Sequence, residues 1–482
     1  MKKLSLALIL LFIPCIFLFS SCEKGKKISQ YKIDCTLIDN VLEGVEEVDF
    51  YNDSENAFSV LKFNLHANAF REDAKYKPIA SSYETKAYYD GKSYGNLEIK
   101  KVYSDKEDLE YIVTGEDQNV LDVHLKEEVF PEERVKIYIE YTLNVAKVIA
   151  RTGITKNTVN LANFYPILCA IENGSFYECL YYSNGDPYFS DCADYTVNFT
   201  CDEKYVVASS GENVQNKKIN GKQQNVYKID NARSFAIVLS EHFKTLSKTV
   251  NGVNVIYYYY TEENAEEFLS TAVKSVEYFE NVFGKYGYNT YSVVETQFMQ
   301  GGMEFPALVM ISDELEREAY NEVIVHETAH QWWQTGVGNN EIEYGFLDEG
   351  LAEYSVILFY ENHSEYGLDR KTLVTSAEKT YKIFCSVYDK LFGNVNTTML
   401  RSLKDFNAEY EYVNIAYVKP CIMYDNLRNA IGEEEFFNSL RNYYEKYKFK
   451  NATPDCLVSE FEKQVRDAKG YFYSFFEGKA IL

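Results

Sequence analysis

Residues 322–354 read EVIVHETAHQWWQTGVGNNEIEYGFLDEGLAEY, and the rest of the chain is read outward from them. The stretch opens on His326-Glu327-Thr328-Ala329-His330, an H-E-x-x-H pattern. Two imidazoles four residues apart share one face of a helix. That arrangement suits a divalent zinc, which needs neutral nitrogen ligands on one side and an open position for water on the other. Glu327, one residue along, can act as general base on that water. A third ligand is still required. Skipping 18 residues after His330 reaches Glu349, in Asp348-Glu349-Gly350-Leu351-Ala352-Glu353, which reads as the start of a second amphipathic helix. The bland alternative is a buried helix whose histidines merely pack. Six histidines in 482 residues make a chance match rare; it is expected in fewer than about one such chain in a hundred.

The length predicts roughly two to four domains, and 46% hydrophobic with 25% charged residues is globular rather than disordered. A net charge of −24 argues against nucleic acid and anionic lipid as partners. With 43 tyrosines, no single tyrosine is informative by itself.

The first residues read as a targeting segment. Lys2 and Lys3 precede an apolar run over residues 4–19 that is short for a membrane span. It ends in Phe19-Ser20-Ser21-Cys22, which resembles a bacterial lipobox with phenylalanine where leucine is usual. The expectation is a signal peptide over 1–21 and lipidation at Cys22. A polar tether over 22–30 would then hold the protein on an extracytoplasmic membrane face. Ordinary signal cleavage and secretion is the alternative. Of the remaining cysteines, Cys169, Cys179, Cys192 and Cys201 lie close together without a C-x-x-C pair. Export permits disulfides among them, but free buried thiols read equally well.

Residues 31–258 show period-two alternation and short β-branched runs, as in Tyr138-Ile-Glu-Tyr-Thr-Leu and Val253-Asn-Val-Ile-Tyr-Tyr. Turn signals such as Asn173-Gly174, Asn184-Gly185 and Asn220-Gly221 separate them. This predicts an all-β, sandwich-like domain. Residues 259–482 change character. A helix is expected from Thr261, strands at Tyr291-Ser-Val-Val-Glu-Thr and Ala307-Leu-Val-Met-Ile, and mostly helix after Asp348. Ser312 or Asp313 is expected to cap the histidine helix, and Gly336 and Gly338 to end it. The fold class is therefore multidomain α+β.

Three ordered elements resemble the aminopeptidase N family of zinc metallopeptidases, the gluzincins with a thermolysin-like catalytic domain. They are Gly301-Gly302-Met303-Glu304-Phe305, similar to the family's G-x-M-E-N; His326-Glu327-x-x-His330 with Glu349; and Tyr417-Val418-Lys419 followed by Ile431-Gly432 and Phe436. The resemblance implies that His326, His330 and Glu349 bind one zinc per chain and that Glu327 is the base. It makes Tyr417 the hydrogen-bond donor to the oxyanion. Glu304, with Gly302 and Met303, would bind the free α-amine of a peptide substrate. An ammonium held by a fixed carboxylate sets where the first peptide bond meets the metal, which defines an aminopeptidase. Tyr410 and Tyr412 compete with Tyr417 but lack the following x-Lys. Glu353 reads either as a hydrogen-bond partner of a ligand imidazole or as a surface acid. Trp332 and Trp333 are expected to pack around the histidine helix. Phe305 departs from the family's asparagine, leaving one polar contact near the amine open. Only 65 residues follow Tyr417, so the resemblance implies a short form without the C-terminal helical domain and with a more open cleft. An endopeptidase of the same chemistry, and a peptide-binding lipoprotein without activity, are the alternatives.

Overall fold

The computed structural model describes residues 26–105 and 107–480. The expected signal peptide, Cys22 and the start of the tether lie outside the described residues. No helix among the described residues is long and apolar enough to cross a membrane.

The chain begins with two facing sheets. A seven-stranded sheet runs in the spatial order Glu212–Ile219, Lys222–Ala232, Ala193–Asp202, Ser29–Ile38, Val41–Tyr51, Arg134–Asn144 and Asn96–Tyr103. A four-stranded sheet is built on Phe58–Asn64 and Val120–Val129. Alternation explains the pairing. Arg134–Asn144 buries Ile137, Ile139, Tyr141 and Leu143 while the residues between them stay part-exposed, and Phe58–Asn64 contributes Leu61 and Phe63 to the same apolar core. A third, four-stranded sheet follows the order Val206–Ser209, Ala236–Ser240, Val159–Ala162 and Thr152–Ile154. The β-rich first half is as the alternation predicts.

One part of that half belongs elsewhere. The hairpin Lys244–Val250 and Val253–Tyr259, read from sequence with the β region, hydrogen-bonds into a five-stranded sheet with Thr290–Thr296, Leu308–Ser312 and Gly302–Phe305. Val253–Tyr259 pairs in parallel with Thr290–Thr296, and the helix Ala265–Phe283 makes the crossover. Parallel neighbours need such a crossover, so the hairpin and the helix form one unit. That helix starts at Ala265 rather than Thr261, with Asn264 in the left-handed region ahead of it.

The second half is helical, as predicted. Arg317–Ala329 carries the H-E-x-x-H residues up to His330, its C-cap, and Phe346–Asn362 carries Glu349. Neither expected cap is used. Glu316 stands at the N-cap without a side-chain hydrogen bond, and the Ser312 hydroxyl donates instead to the Phe298 carbonyl at 2.8 Å. The expected terminators also act otherwise. The helix has ended before Gly336, and a Cβ at Gly336 would meet the Trp332 carbonyl oxygen at 2.7 Å, so this glycine permits close packing. The helical run expected after Asp348 is broken near its end into Lys419–Ile431 and Glu433–Tyr447, because Gly432 takes φ +94° between them. Trp332 and Trp333 are buried, packed against Phe279 and Phe283 as expected.

Candidate metal centre and its cleft

The two helices cross so that His326, His330 and Glu349 converge. His326 Nε2 lies 3.1 Å from His330 Nε2 and 3.3 Å from Glu349 Oε2, and His330 Nε2 lies 3.1 Å from the same oxygen. Ligand atoms about 2.0–2.1 Å from a tetrahedral zinc stand about 3.3 Å apart, so this donor set fits that ion. Each imidazole is oriented through its other nitrogen. His326 Nδ1 donates to Glu353 Oε2 at 3.0 Å, and His330 Nδ1 donates to the Trp333 carbonyl at 2.9 Å. Glu353 is thus a partner of a ligand imidazole rather than a surface acid. Burial alone would lower the His326 pKa, but hydrogen bonds with Glu349 and Glu353 raise it to about 10. The environment is therefore built for a positive charge at this point, proton or metal.

Glu327 is buried beside the triad, and its Oε2 has no hydrogen-bond partner. Burial, partly offset by the two imidazoles, raises its pKa to about 7, where a general base works best near neutral pH. The strand Gly302–Phe305 runs past this carboxylate. A Cβ on Gly302 would meet Glu327 Oε1 at 2.3 Å, so only glycine lets the strand come so close.

Strand alternation then sorts the neighbours of Gly302. Glu304 faces the cleft, 4% exposed, with Oε1 unpartnered and its pKa raised by burial to about 7. Met303 and Phe305 point the opposite way, into an apolar cluster with Phe298 and Met310. The Met303 side chain therefore packs away from the cleft that Glu304 faces. The Phe305 side chain likewise sits away from the Glu304 face, and its carbonyl accepts from Gln331 Nε2 at 3.1 Å.

Tyr417 lies in a π-helical turn, Asn414–Val418, directly before the helix Lys419–Ile431. The wider turn presents its ring almost parallel to that of His326, and its hydroxyl donates to Glu349 Oε1 at 2.5 Å. Of its rivals, Tyr410 is half exposed, and Tyr412 packs edge-on against Tyr417.

Two residues that the sequence reading passed over complete the site. Asp186 follows Asn184-Gly185, read earlier only as a turn, and its carboxylate lies within 4.8 Å of ligand-type oxygens of Glu304 and Glu349. Arg151 Nη2 donates to Asp186 Oδ1, and its guanidinium lies over the Tyr188 ring. Burial nevertheless raises the Asp186 pKa to about 7. The three donors, Glu327, Glu304, Tyr417, Asp186 and Arg151 line one cleft of about 510 Å³. Cys169, Cys179, Cys192 and Cys201 are buried and free, so the disulfide alternative is not realised.

The model of the peptidase family M1 domain matches residues 267–471. The matched stretch, which is similar to the family M1 domain, holds His326, Glu327, His330, Glu349 and Tyr417. Among similar proteins are a leucine aminopeptidase 2 of Neosartorya fischeri, 25% identical over 203 residues, and the aminopeptidase RNPEPL1 of Mus musculus, 26% identical over 211 residues. These alignments cover 39% and 41% of this chain and 30% and 27% of the relatives, so the chain spans under a third of their length. The fold of the whole chain is similar to that of an M1 zinc metallopeptidase from Deinococcus radiodurans, with TM-score 0.68, 15% identity and 95% of both chains covered. A mutant of that enzyme bound to a Tyr-Ser-Ala substrate aligns with TM-score 0.63, 15% identity and the same coverage.

Proposed function

We propose that this chain is an M1-type, zinc-dependent aminopeptidase that removes residues from the free N-terminus of peptides. One observation carries the reading. Beside the His326–His330–Glu349 donor set, the cleft holds a pocket walled by Glu304 and Asp186, with one buried carboxylate oxygen left unpartnered. A buried, unpartnered carboxylate is costly unless a cation joins it. A substrate α-ammonium has the charge and the donors required.

His326, His330 and Glu349 would hold one zinc, which supplies Lewis-acid polarisation of the scissile carbonyl and a more acidic water. Glu327 takes the proton from the attacking water and delivers it to the leaving amine. Tyr417 turns its hydroxyl from Glu349 to the oxyanion as negative charge develops, an interaction stronger in the transition state than in the ground state. Glu304 and Asp186 fix the ammonium, and Arg151 holds Asp186 in place. The fold of the Deinococcus radiodurans metallopeptidase and the aminopeptidase names of the sequence relatives support this assignment.

Turnover of alanyl-p-nitroanilide compared with its N-acetyl derivative tests it. Zinc-dependent release from the free amine, with acetylation reducing kcat/KM by about a hundredfold or more, is expected from the lost ammonium contacts. Cleavage of acetylated peptides at internal bonds would assign the endopeptidase chemistry instead. The lipobox-like residues 19–22 support an extracytoplasmic, lipid-anchored location; mass spectrometry of the mature N-terminus would show a diacylated or triacylated Cys22, and an unmodified one would remove the anchor.

A further inference from the structure

The turn that carries Tyr417 is both closed and anchored by one residue, Lys419. Its backbone N–H reaches back five residues to the Asn414 carbonyl, the bond that makes Asn414–Val418 a π turn. Its ammonium is fully buried and donates to the Thr397 carbonyl at 2.6 Å and the Phe475 carbonyl at 2.7 Å. The segments holding those acceptors are themselves joined. The Met399 and Leu400 N–H groups donate to the Phe476 carbonyl at 2.8 and 3.1 Å, and the Thr397 hydroxyl donates to the Gly478 carbonyl at 3.1 Å. The Tyr417 turn is thus tied to a frame made of the loop before Arg401 and the end of the helix Ala468–Phe476.

Stability gives little reason for a charge at this point. Among the described residues no carboxylate forms an ion pair with Lys419, and burial, with repulsion from Arg401, brings its pKa down to about 8. A buried ammonium served only by carbonyls carries a desolvation cost that an apolar side chain of similar length would avoid. The charge instead supplies direction. Two short, charge-assisted hydrogen bonds hold the first residue of the helix Lys419–Ile431 in one place. The upstream end of the turn is held as well: Arg401 donates at 2.8 Å to Glu411, both buried, on the helix Glu409–Val413 that runs into Asn414. Between these anchors Tyr417 stacks on His326 and places its hydroxyl at Glu349.

We propose that Lys419 is a positioning residue for the reaction: by anchoring the π turn, it holds the Tyr417 hydroxyl where the oxyanion forms. It acts through Tyr417 and touches no reacting atom. The proposal rests on the role given to Tyr417 in the aminopeptidase reading. His326, His330 and Glu349 belong to other helices, so releasing the turn leaves the zinc donors and the Glu304 pocket in place. Only the hydroxyl shifts, and a misplacement near 1 Å is enough to slow catalysis.

A double-mutant cycle on alanyl-p-nitroanilide tests it, using zinc-loaded wild type, Lys419→Met, Tyr417→Phe and the double variant. Methionine keeps the length of the stem and removes the donors. Lys419→Met should lower kcat by about tenfold or more, with KM within about twofold of wild type and zinc content unchanged. In the Tyr417→Phe background the same substitution should change kcat by less than about twofold, because no hydroxyl is left to position. Losses that multiply in the double variant would overturn the proposal. So would a rise in KM without a fall in kcat, or a lower melting temperature with full kcat below it, which would make Lys419 structural only. If Lys419→Met does not fold, Lys419→Gln, too short to serve both carbonyls, enters the same cycle with an expected loss of about threefold or more and is judged by the same coupling. Wild-type turnover with multiplying losses removes this proposal alone, whereas no wild-type turnover of any free-amine substrate removes the aminopeptidase reading with it.

Discussion

Glu327 and Tyr417 differ in what their loss should do. Glu327 touches no ligand atom through a hydrogen bond and is held only by burial. Glu327→Gln, of equal size, should therefore keep the metal while kcat falls by about a thousandfold or more, as expected for a lost general base. Metal analysis run beside the rate assay checks both halves, and equal turnover would remove Glu327 as the base. Tyr417→Phe deletes one hydroxyl that now rests on Glu349. It should lower kcat by about a hundredfold with little change in KM, because the oxyanion contact forms mainly in the transition state. A rise in KM alone would instead make Tyr417 a ground-state binding residue. At this scale the motif residues were legible because their chemistry is local: His326 and His330 share a helix face by spacing alone. Asp186 and Arg151 were not legible. They meet each other across 35 positions and reach Glu304 only through the tertiary fold.

The elements around the site are placed by close approaches that few residues permit. The strand Gly302–Phe305 comes within reach of Glu327 only because position 302 has no side chain. Gly302→Ala should displace the Glu327 carboxylate and reduce kcat by about tenfold or more, consistent with the sensitivity of catalysis to misplacement near 1 Å. Its circular-dichroism melt should stay close to wild type; unchanged kcat would show that the strand is free to yield. Gly350 acts similarly between helices, since a Cβ there would meet Pro420 Cβ at 2.4 Å. Element types were readable from periodicity, and boundaries less so. The Ser312 hydroxyl was a plausible cap on sequence grounds, but the Phe298 carbonyl takes it. Gly432 splits a run that looked continuous because the apolar spacing persists on both sides of it. The π turn at Tyr417 leaves no mark in the sequence pattern, although it is what aims the hydroxyl.

Across the whole molecule, the β-rich half and the helical half are joined through buried polar contacts. Arg233 follows the strand Lys222–Ala232 and donates to the carbonyls of Gln334 at 2.8 Å, Lys450 at 2.8 Å and Ser190 at 3.1 Å, and also to Asn451 Oδ1. Arg233→Ala strands these acceptors and should destabilise the protein by about 3 kcal/mol or more, read as a fall in denaturant midpoint. A midpoint within error of wild type would show that water replaces the guanidinium. Glu46 provides a pH-dependent counterpart. It is 0% exposed, neither oxygen has a partner, and burial lifts its pKa well above the usual carboxylate value. A raised folded-state pKa means full stability below about 4.5, the value in the unfolded chain, and progressive loss as pH climbs towards the folded value. Glu46→Leu should therefore raise the melting temperature more at pH 8 than at pH 4.5, and an equal gain at both would show that Glu46 is not ionising. The two-part plan was readable from the change in periodicity. The membership of the hairpin Lys244–Val250 and Val253–Tyr259 was not, because a strand's pattern does not reveal which sheet will pair with it. The central claim is that His326, His330 and Glu349 hold a catalytic zinc, and zinc stoichiometry is its most direct test. The wild type should bind about one zinc per chain and His326→Ala/His330→Ala essentially none, since two of three protein ligands are gone. Equal zinc in both proteins would contradict the account.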